Sequence, residues 1–160
     1  MLLPALEFLA AYERWGTQRI LDAAEGIDAD TWTKPNVVGE RGLGGVLVHH
    51  LGAFQRWRHF LSGSEEQPRP EREPLLDPGE LRSRWTVEWD ALDAWLRTLS
   101  PADLERVEDG VEVWKSLLHL FNHGTQHRSE VAALLTEAGR SPGDLDLVDF
   151  AEEHSTSVGG

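Results

Sequence analysis

The sequence predicts an all-α fold with four long helices packed as a bundle, and three observations carry that prediction. Apolar residues recur at helical spacing in four long segments. Connections bearing Gly and Pro separate those segments. No segment sustains the apolar/polar alternation of a half-buried strand. The 160 residues fit one domain, placed at 1–152 with a flexible tail at 153–160. A chain of this length buries about two thirds of the surface its unfolded form would expose, so it needs neither a metal nor a disulfide to fold.

The first helix is expected from Leu3 to Ala24, with Leu6, Leu9, Ala10, Ile20 and Ala24 near one face and Gly26 as its stop. The second begins near Leu43 and ends at Gly63. The stretch from Ser64 to Pro78 is charged and broken by four prolines, and it reads as a crossover connection. Asp77 and Pro78 then supply an N-cap and a first-turn proline for the third helix, whose Leu81, Trp85, Leu92, Trp95 or Leu96, and Leu99 recur at helical spacing until Ser100-Pro101 ends it. Val107, the turn-like pair Asp109-Gly110, Val111 and Val113 suggest a short hairpin. The fourth helix spans Trp114 to Ala138, and its apolar residues circle most of its circumference, which predicts the most buried helix of the four. Residues 145–152 are expected to pack through Leu145, Leu147, Val148 and Phe150, and the residues after them to be loose.

Composition narrows the function classes. The chain has no cysteine, which excludes a disulfide framework, a thiolate metal site and a cysteine nucleophile. A net charge of −13 repels phosphate backbones and anionic lipid, so neither nucleic acid nor membrane is an expected partner. No window is long and apolar enough for a membrane span. The opening MLLPALEFLAAYERW is interrupted by Pro4, Glu7 and Glu13 and has no basic start; it reads as a first helix, and the expected location is the cytoplasm.

The chemistry lies in the histidines. His119, His123 and His127 recur every four residues in LLHLFNHGTQHR. On a helix this spacing places neighbouring imidazoles on one face with Cβ atoms about 5 to 6 Å apart, close enough for two of them to share one ion. The first and third stand about 12 Å apart along the axis, so only one adjacent pair can chelate. The second helix offers His49-His50 as the source of a third ligand. Three protein ligands and an open position are the arrangement of a catalytic metal site. A single buried histidine more often satisfies a backbone carbonyl than binds an ion. HExxH and ExxH motifs are absent, which argues against zincin proteases and di-iron carboxylate bundles. No Gly-x-Ser-x-Gly elbow supports a serine hydrolase.

Tyr12 to Trp15 with Leu21, the run VLVHHLGAFQRW, the run LHLFNHGTQHRSEVAALL and the ending SPGDLDLVDF together resemble the DinB/YfiT-like superfamily over nearly the whole chain. NHG-x-x-HR is the most specific part. Glu13 departs from the pattern, since members often carry Asn after the tyrosine. The resemblance implies an up-down-down-up four-helix bundle with a long connection between its second and third helices. It also implies a metal triad of one histidine from the second helix and two from the fourth. His123 and His127 match the paired positions. His49 matches the remaining one through Gly52, Ala53 and Trp57, whereas helical periodicity favours His50, nearer the centre of the apolar stripe. His119 falls outside the triad and is expected to pack rather than to hydrogen-bond a ligand, and His59 and His154 belong to the surface or to loops. Arg128 either attracts an anionic substrate group or pairs with a local carboxylate such as Glu130.

The activity that the resemblance implies is metal-dependent S-transfer. His49, His123 and His127 hold one divalent ion, Zn(II) or Ni(II), which ionises a low-molecular-weight thiol of the bacillithiol or mycothiol type for attack on an electrophile. The alternatives are metal-dependent hydrolysis, for which the His-rich segments show no general acid or base, and a non-catalytic, metal-stabilised binding or stress-response protein. Catalytic residues beyond the ligands are unknown at this level. The resemblance also implies a homodimer formed through helices, for which an exposed Trp on the third helix would be suited.

Overall fold

The computed structural model describes residues 2–65 and 67–155. Its helices are α1 (Leu2–Ala24), α2 (Ala29–Thr33), α3 (Gly42–Ser62), α4 (Pro78–Leu96), α5 (Pro101–Glu105), α6 (Val113–Glu137) and α7 (Leu147–Glu153), with a 3-10 turn at Pro70–Arg72. Two short antiparallel strands, β1 (Val107–Glu108) and β2 (Val111–Glu112), pair Val107 with Glu112 and Glu108 with Val111. The fold is all-α apart from this hairpin. The four long helices begin within one residue of the positions read from Gly, Pro and apolar spacing, and three of them end so; α4 stops at Leu96, short of the expected end at Ser100-Pro101.

Local chemistry explains those boundaries. Gly63 closes α3 in the left-handed region at φ 67°, where a Cβ would be strained. At the start of α4 the Asp77 carboxylate accepts from Glu80 N at 2.8 Å while Glu80 accepts from Asp77 N at 3.2 Å, a reciprocal capping box. Asp109 and Gly110 both take positive φ, 47° and 81°, as the two central residues of the tightest hairpin turn require. Ser100-Pro101 does not end the third long helix, which closes at Leu96 with Arg97 as its cap; the pair instead starts α5. Ser100 caps Asp103 N, and proline is as well suited to a first turn as to a stop.

Two expectations need correction. α3 is the more deeply buried helix, with twelve buried residues of 21 against nine of 25 on α6. The buried positions of α6, among them Leu117, Leu120, Phe121, Gly124, Arg128 and Val131, form one stripe, and Leu118 on its outer side is exposed. Glycines 44 and 52 let neighbours close over α3, because a Cβ on Gly44 would collide with Trp32 and one on Gly52 with Glu71. The tryptophans of α4 are not a surface feature either. Trp85 and Trp89 are buried and Trp95 packs against the core, so they lend no exposed ring to a dimer contact.

The contacts between long helices follow the chain in register. Glu13 of α1 meets Arg128 of α6, and Arg140 just beyond α6 donates to Ala23 O at 2.8 Å, so α1 and α6 advance together. Arg14 meets Asp90 and Asp22 meets Arg82, so α1 and α4 run oppositely. His49 contacts His127 and Trp57 contacts His119, so α3 and α6 also run oppositely. The C-terminal segment folds back on α1: Tyr12 Oη donates to Leu145 O at 2.6 Å, Trp15 Nε1 donates to Glu153 at 3.0 Å, and Phe150 is buried. Residues 156–160, the end of the tail expected to be loose, lie outside the described residues. Among the described residues no helix is long and apolar enough to cross a membrane.

Candidate metal centre

Two turns of α6 carry the first half of the site. The i, i+4 spacing brings His123 Nε2 within 3.1 Å of His127 Nε2. Two nitrogens bonded to one tetrahedral ion at about 2.05 Å stand about 3.3 Å apart, so this pair already has a chelating separation. α3 supplies the third ring. His49 lies 5.5 Å from the His123 ring and 5.0 Å from the His127 ring, centroid to centroid. Each of the three offers one nitrogen, and those atoms all lie within 4.8 Å of one another. Among the described residues this is the group of His, Asp or Glu side chains that could hold a metal ion.

The two rings of α6 are in a state suited to a metal. Burial, reinforced by the neighbouring imidazoles, lowers His123 to about 4. Burial also lowers His127, although Glu130 opposes the shift. Both are therefore neutral near pH 7, as coordination requires. The Glu130 carboxylate takes up the other side of His127, with Nδ1 at 2.7 Å from Oε2. Against the cost of burial, hydrogen bonds from Gln126 and His127 hold Glu130 below the usual carboxylate range. On His49, Nδ1 lies 3.4 Å from Glu71 Oε1. The hydrogen bond from Glu130 leaves His127 Nε2 as the nitrogen for an ion, an arrangement that orients metal-binding imidazoles generally, and Glu71 approaches the Nδ1 side of His49 at the longer distance. A cavity of about 290 Å³, bordered by His49, His127, Glu71 and the turn from Val38 to Gly42, opens on the group. A larger cavity of about 660 Å³ lies around Trp57 and Phe60 and touches none of the three histidines; the donor set, and not cavity size, marks the site.

His50 does not join this group. It is fully buried against Phe54 and Trp85, with ring centroids at 5.2 and 4.8 Å, and burial lowers it to about 3. Periodicity identified its burial correctly. A ligand with an open coordination position belongs at the edge of the buried stripe, which is where His49 stands. His50 Nε2 instead lies 2.8 Å from Glu13 Oε1. Glu13 is buried, accepts from Thr17 Oγ1 at 2.9 Å and forms an ion pair with Arg128, which is also buried. The Arg128 guanidinium sits 4.8 Å from the Tyr12 ring and donates to Thr125 Oγ1 at 3.0 Å. Arg128 thus pairs across the interior with α1, while Glu130 serves His127. Gly16 and Gly124 leave room for this cluster, since a Cβ on either would collide with Arg128 or Glu13.

His119 is exposed on α6 and stands 5.4 Å from Trp57, ring to ring. His59 lies in the last turn of α3, and its Nδ1 is 2.8 Å from Ser64 Oγ. His154 follows α7 and reaches Phe150 O at 2.9 Å. Sequence reasoning missed Glu71. It lies in the proline-broken connection and is tied to His49 by no spacing rule, so only the folded chain brings the two together.

None of the curated proteins matches the sequence. The DinB family model matches residues 1–157, nearly the whole chain. With that match and a three-histidine group on the two helices that carry the matching motifs, the chain belongs to the DinB family.

Proposed function

We propose that the protein binds one divalent metal ion through His49, His123 and His127 and uses it to join a low-molecular-weight thiol to an electrophile: the thiol gives up its proton and its sulfur forms the new S–C bond as chloride leaves or an epoxide C–O bond opens. The observation that carries this reading is the convergence of three imidazole nitrogens within 4.8 Å beside a cavity of about 290 Å³. Three imidazole nitrogens suit Zn(II) or Ni(II) and leave a position for a ligand. An ion bound there would favour the ionised form of a thiol at neutral pH. The chain's own contribution is orientation: α6 sets two rings at a chelating distance, α3 adds the third, and Glu71 and Glu130 face their Nδ1 atoms. The cytoplasm as location, a homodimer, and a small thiol and electrophile as partners, with neither nucleic acid nor membrane, belong to the same proposal. So does an up-down-down-up bundle, which the directions of the α1–α6, α1–α4 and α3–α6 pairings support.

Glu71 favours a second reading, metal-dependent hydrolysis, because it adds to the cavity wall a carboxylate from outside the His-rich segments. Metal content by inductively coupled plasma mass spectrometry, on protein purified without a His-tag, tests the ligand set. Near-stoichiometric metal should be present in the wild type and in His50→Gln and lost in His49→Ala, His123→Ala and His127→Ala. Metal retained in all three Ala variants sinks the triad. Loaded protein should then conjugate bacillithiol or mycothiol to a chlorinated or epoxide acceptor. Turnover of ester or amide substrates without conjugation would favour hydrolysis. Metal that raises the melting temperature with neither activity would leave a metal-stabilised binding protein.

A further inference from the structure

The connection between α3 and α4 is built into the candidate metal centre. Its 3-10 turn, Pro70–Arg72, is seated on α3 by a buried Pro70 and by the Glu71 carboxylate, which lies over Gly52 in space that any Cβ there would fill. Arg41, at the start of α3, clasps the turn from the other side. Its Nη1 donates to Glu71 O at 2.6 Å and its Nη2 to Glu73 O at 3.1 Å. Arg84 of α4 holds the same segment through Glu73. The carboxylate so placed has one oxygen, Oε1, 3.4 Å from His49 Nδ1 and 3.5 Å from Arg56 Nη1. The other, Oε2, is buried with no hydrogen-bond partner. An unsatisfied buried carboxylate oxygen is costly. The carboxylate is nevertheless held there by two main-chain clasps, a buried proline and a glycine, and the imidazole it faces is one of the three in the candidate centre.

We infer that Glu71 is a positioning residue for His49, and that metal binding and the seating of the 67–73 turn are therefore coupled. This rests on His49 being a ligand. By facing Nδ1, Glu71 fixes the tautomer that presents Nε2 to the ion and limits rotation of the ring, which has no such partner on α3 itself. Glu130 does the same for His127 from within α6, three residues away. Glu71 acts from a separate segment, so the third ligand is in place only when that segment is seated. By linkage, an ion that binds the seated form better must also stabilise that seating. Arg41, with no contact to a ligand ring, acts through the same clasp.

The test uses the full chain loaded with Co(II), with affinity read by chelator competition, geometry by the visible spectrum, and seating by amide hydrogen exchange of residues 67–73. Glu71→Gln should bind Co(II) about 10- to 100-fold more weakly with an altered spectrum. Glu71→Asp, which keeps the charge, should recover part of the loss. Arg41→Gln should weaken binding in the same direction, and its combination with Glu71→Gln should be less than additive. Glu65→Gln, an exposed change in the same connection, should behave as wild type. Co(II) should slow exchange at 67–73 in the wild type and not in Glu71→Gln. A folded Glu71→Gln with wild-type affinity and spectrum, or exchange at 67–73 indifferent to metal, overturns the inference while leaving the triad standing. Wild-type protein that takes up no Co(II), or His49→Ala that binds it normally, overturns the triad and this inference with it.

Discussion

Adjacent residues at positions 49 and 50 have opposite fates because a helix turns about 100° per residue. His50 falls inside the buried stripe and becomes part of the core, and His49 falls at its edge and meets the rings of α6. Glu13 shows how little a single position says without its neighbours. In the sequence it is a departure from the family pattern; in the fold it is the buried carboxylate that balances Arg128. Removing one member of a buried ion pair strands the other charge without solvent, and this typically costs about 3 to 5 kcal/mol. Glu13→Ala should therefore lower the unfolding free energy of metal-free protein by about that amount in urea titrations. A loss below about 1 kcal/mol, the range of surface pairs, would mean that water reaches Arg128.

At the scale of elements, boundary chemistry was legible where one residue type does one job. Gly63 and the Asp77-Pro78 pair mark helix ends because a left-handed φ and a side-chain cap each need particular residues. Replacing Asp77 with Ala removes the acceptor for Glu80 N, and equilibrium unfolding should show a loss of about 1 kcal/mol, with the rest of α4 intact by circular dichroism. A variant as stable as wild type would show that Pro78 alone starts the helix. Short elements were harder to read. α2, α5 and the turn at Pro70–Arg72 are at most five residues long, too short for a hydrophobic period to register. The depth of α3 was also hidden, because glycines 44 and 52 give no apolar signal and yet let Trp32 and Glu71 close over the helix.

At the scale of the molecule, the three histidines join α3 to α6, so an ion held between them would bind the folded chain and not the unfolded one. Such binding stabilises by RT ln(1 + [M]/Kd), about 4 kcal/mol when free metal is a thousand times Kd. Metal-loaded protein should accordingly melt several degrees higher than protein stripped with a chelator, and the difference should vanish in His123→Ala. Equal melting temperatures for loaded and stripped wild type would mean that no ion bridges the helices. What the sequence by itself determined was local and periodic: four long helices, the stops of three of them, the hairpin at Asp109-Gly110, and the His123–His127 pair, because a helix fixes neighbours three and four residues apart. The family resemblance, not periodicity, selected His49. The tertiary structure alone decided that Glu13 answers Arg128, that Glu71 lies beside His49, and that Trp89 of α4 turns inward with Trp85. Those partners come from different segments, and no spacing along the chain encodes which side chains meet once four helices and a proline-broken connection exclude water from the space between them.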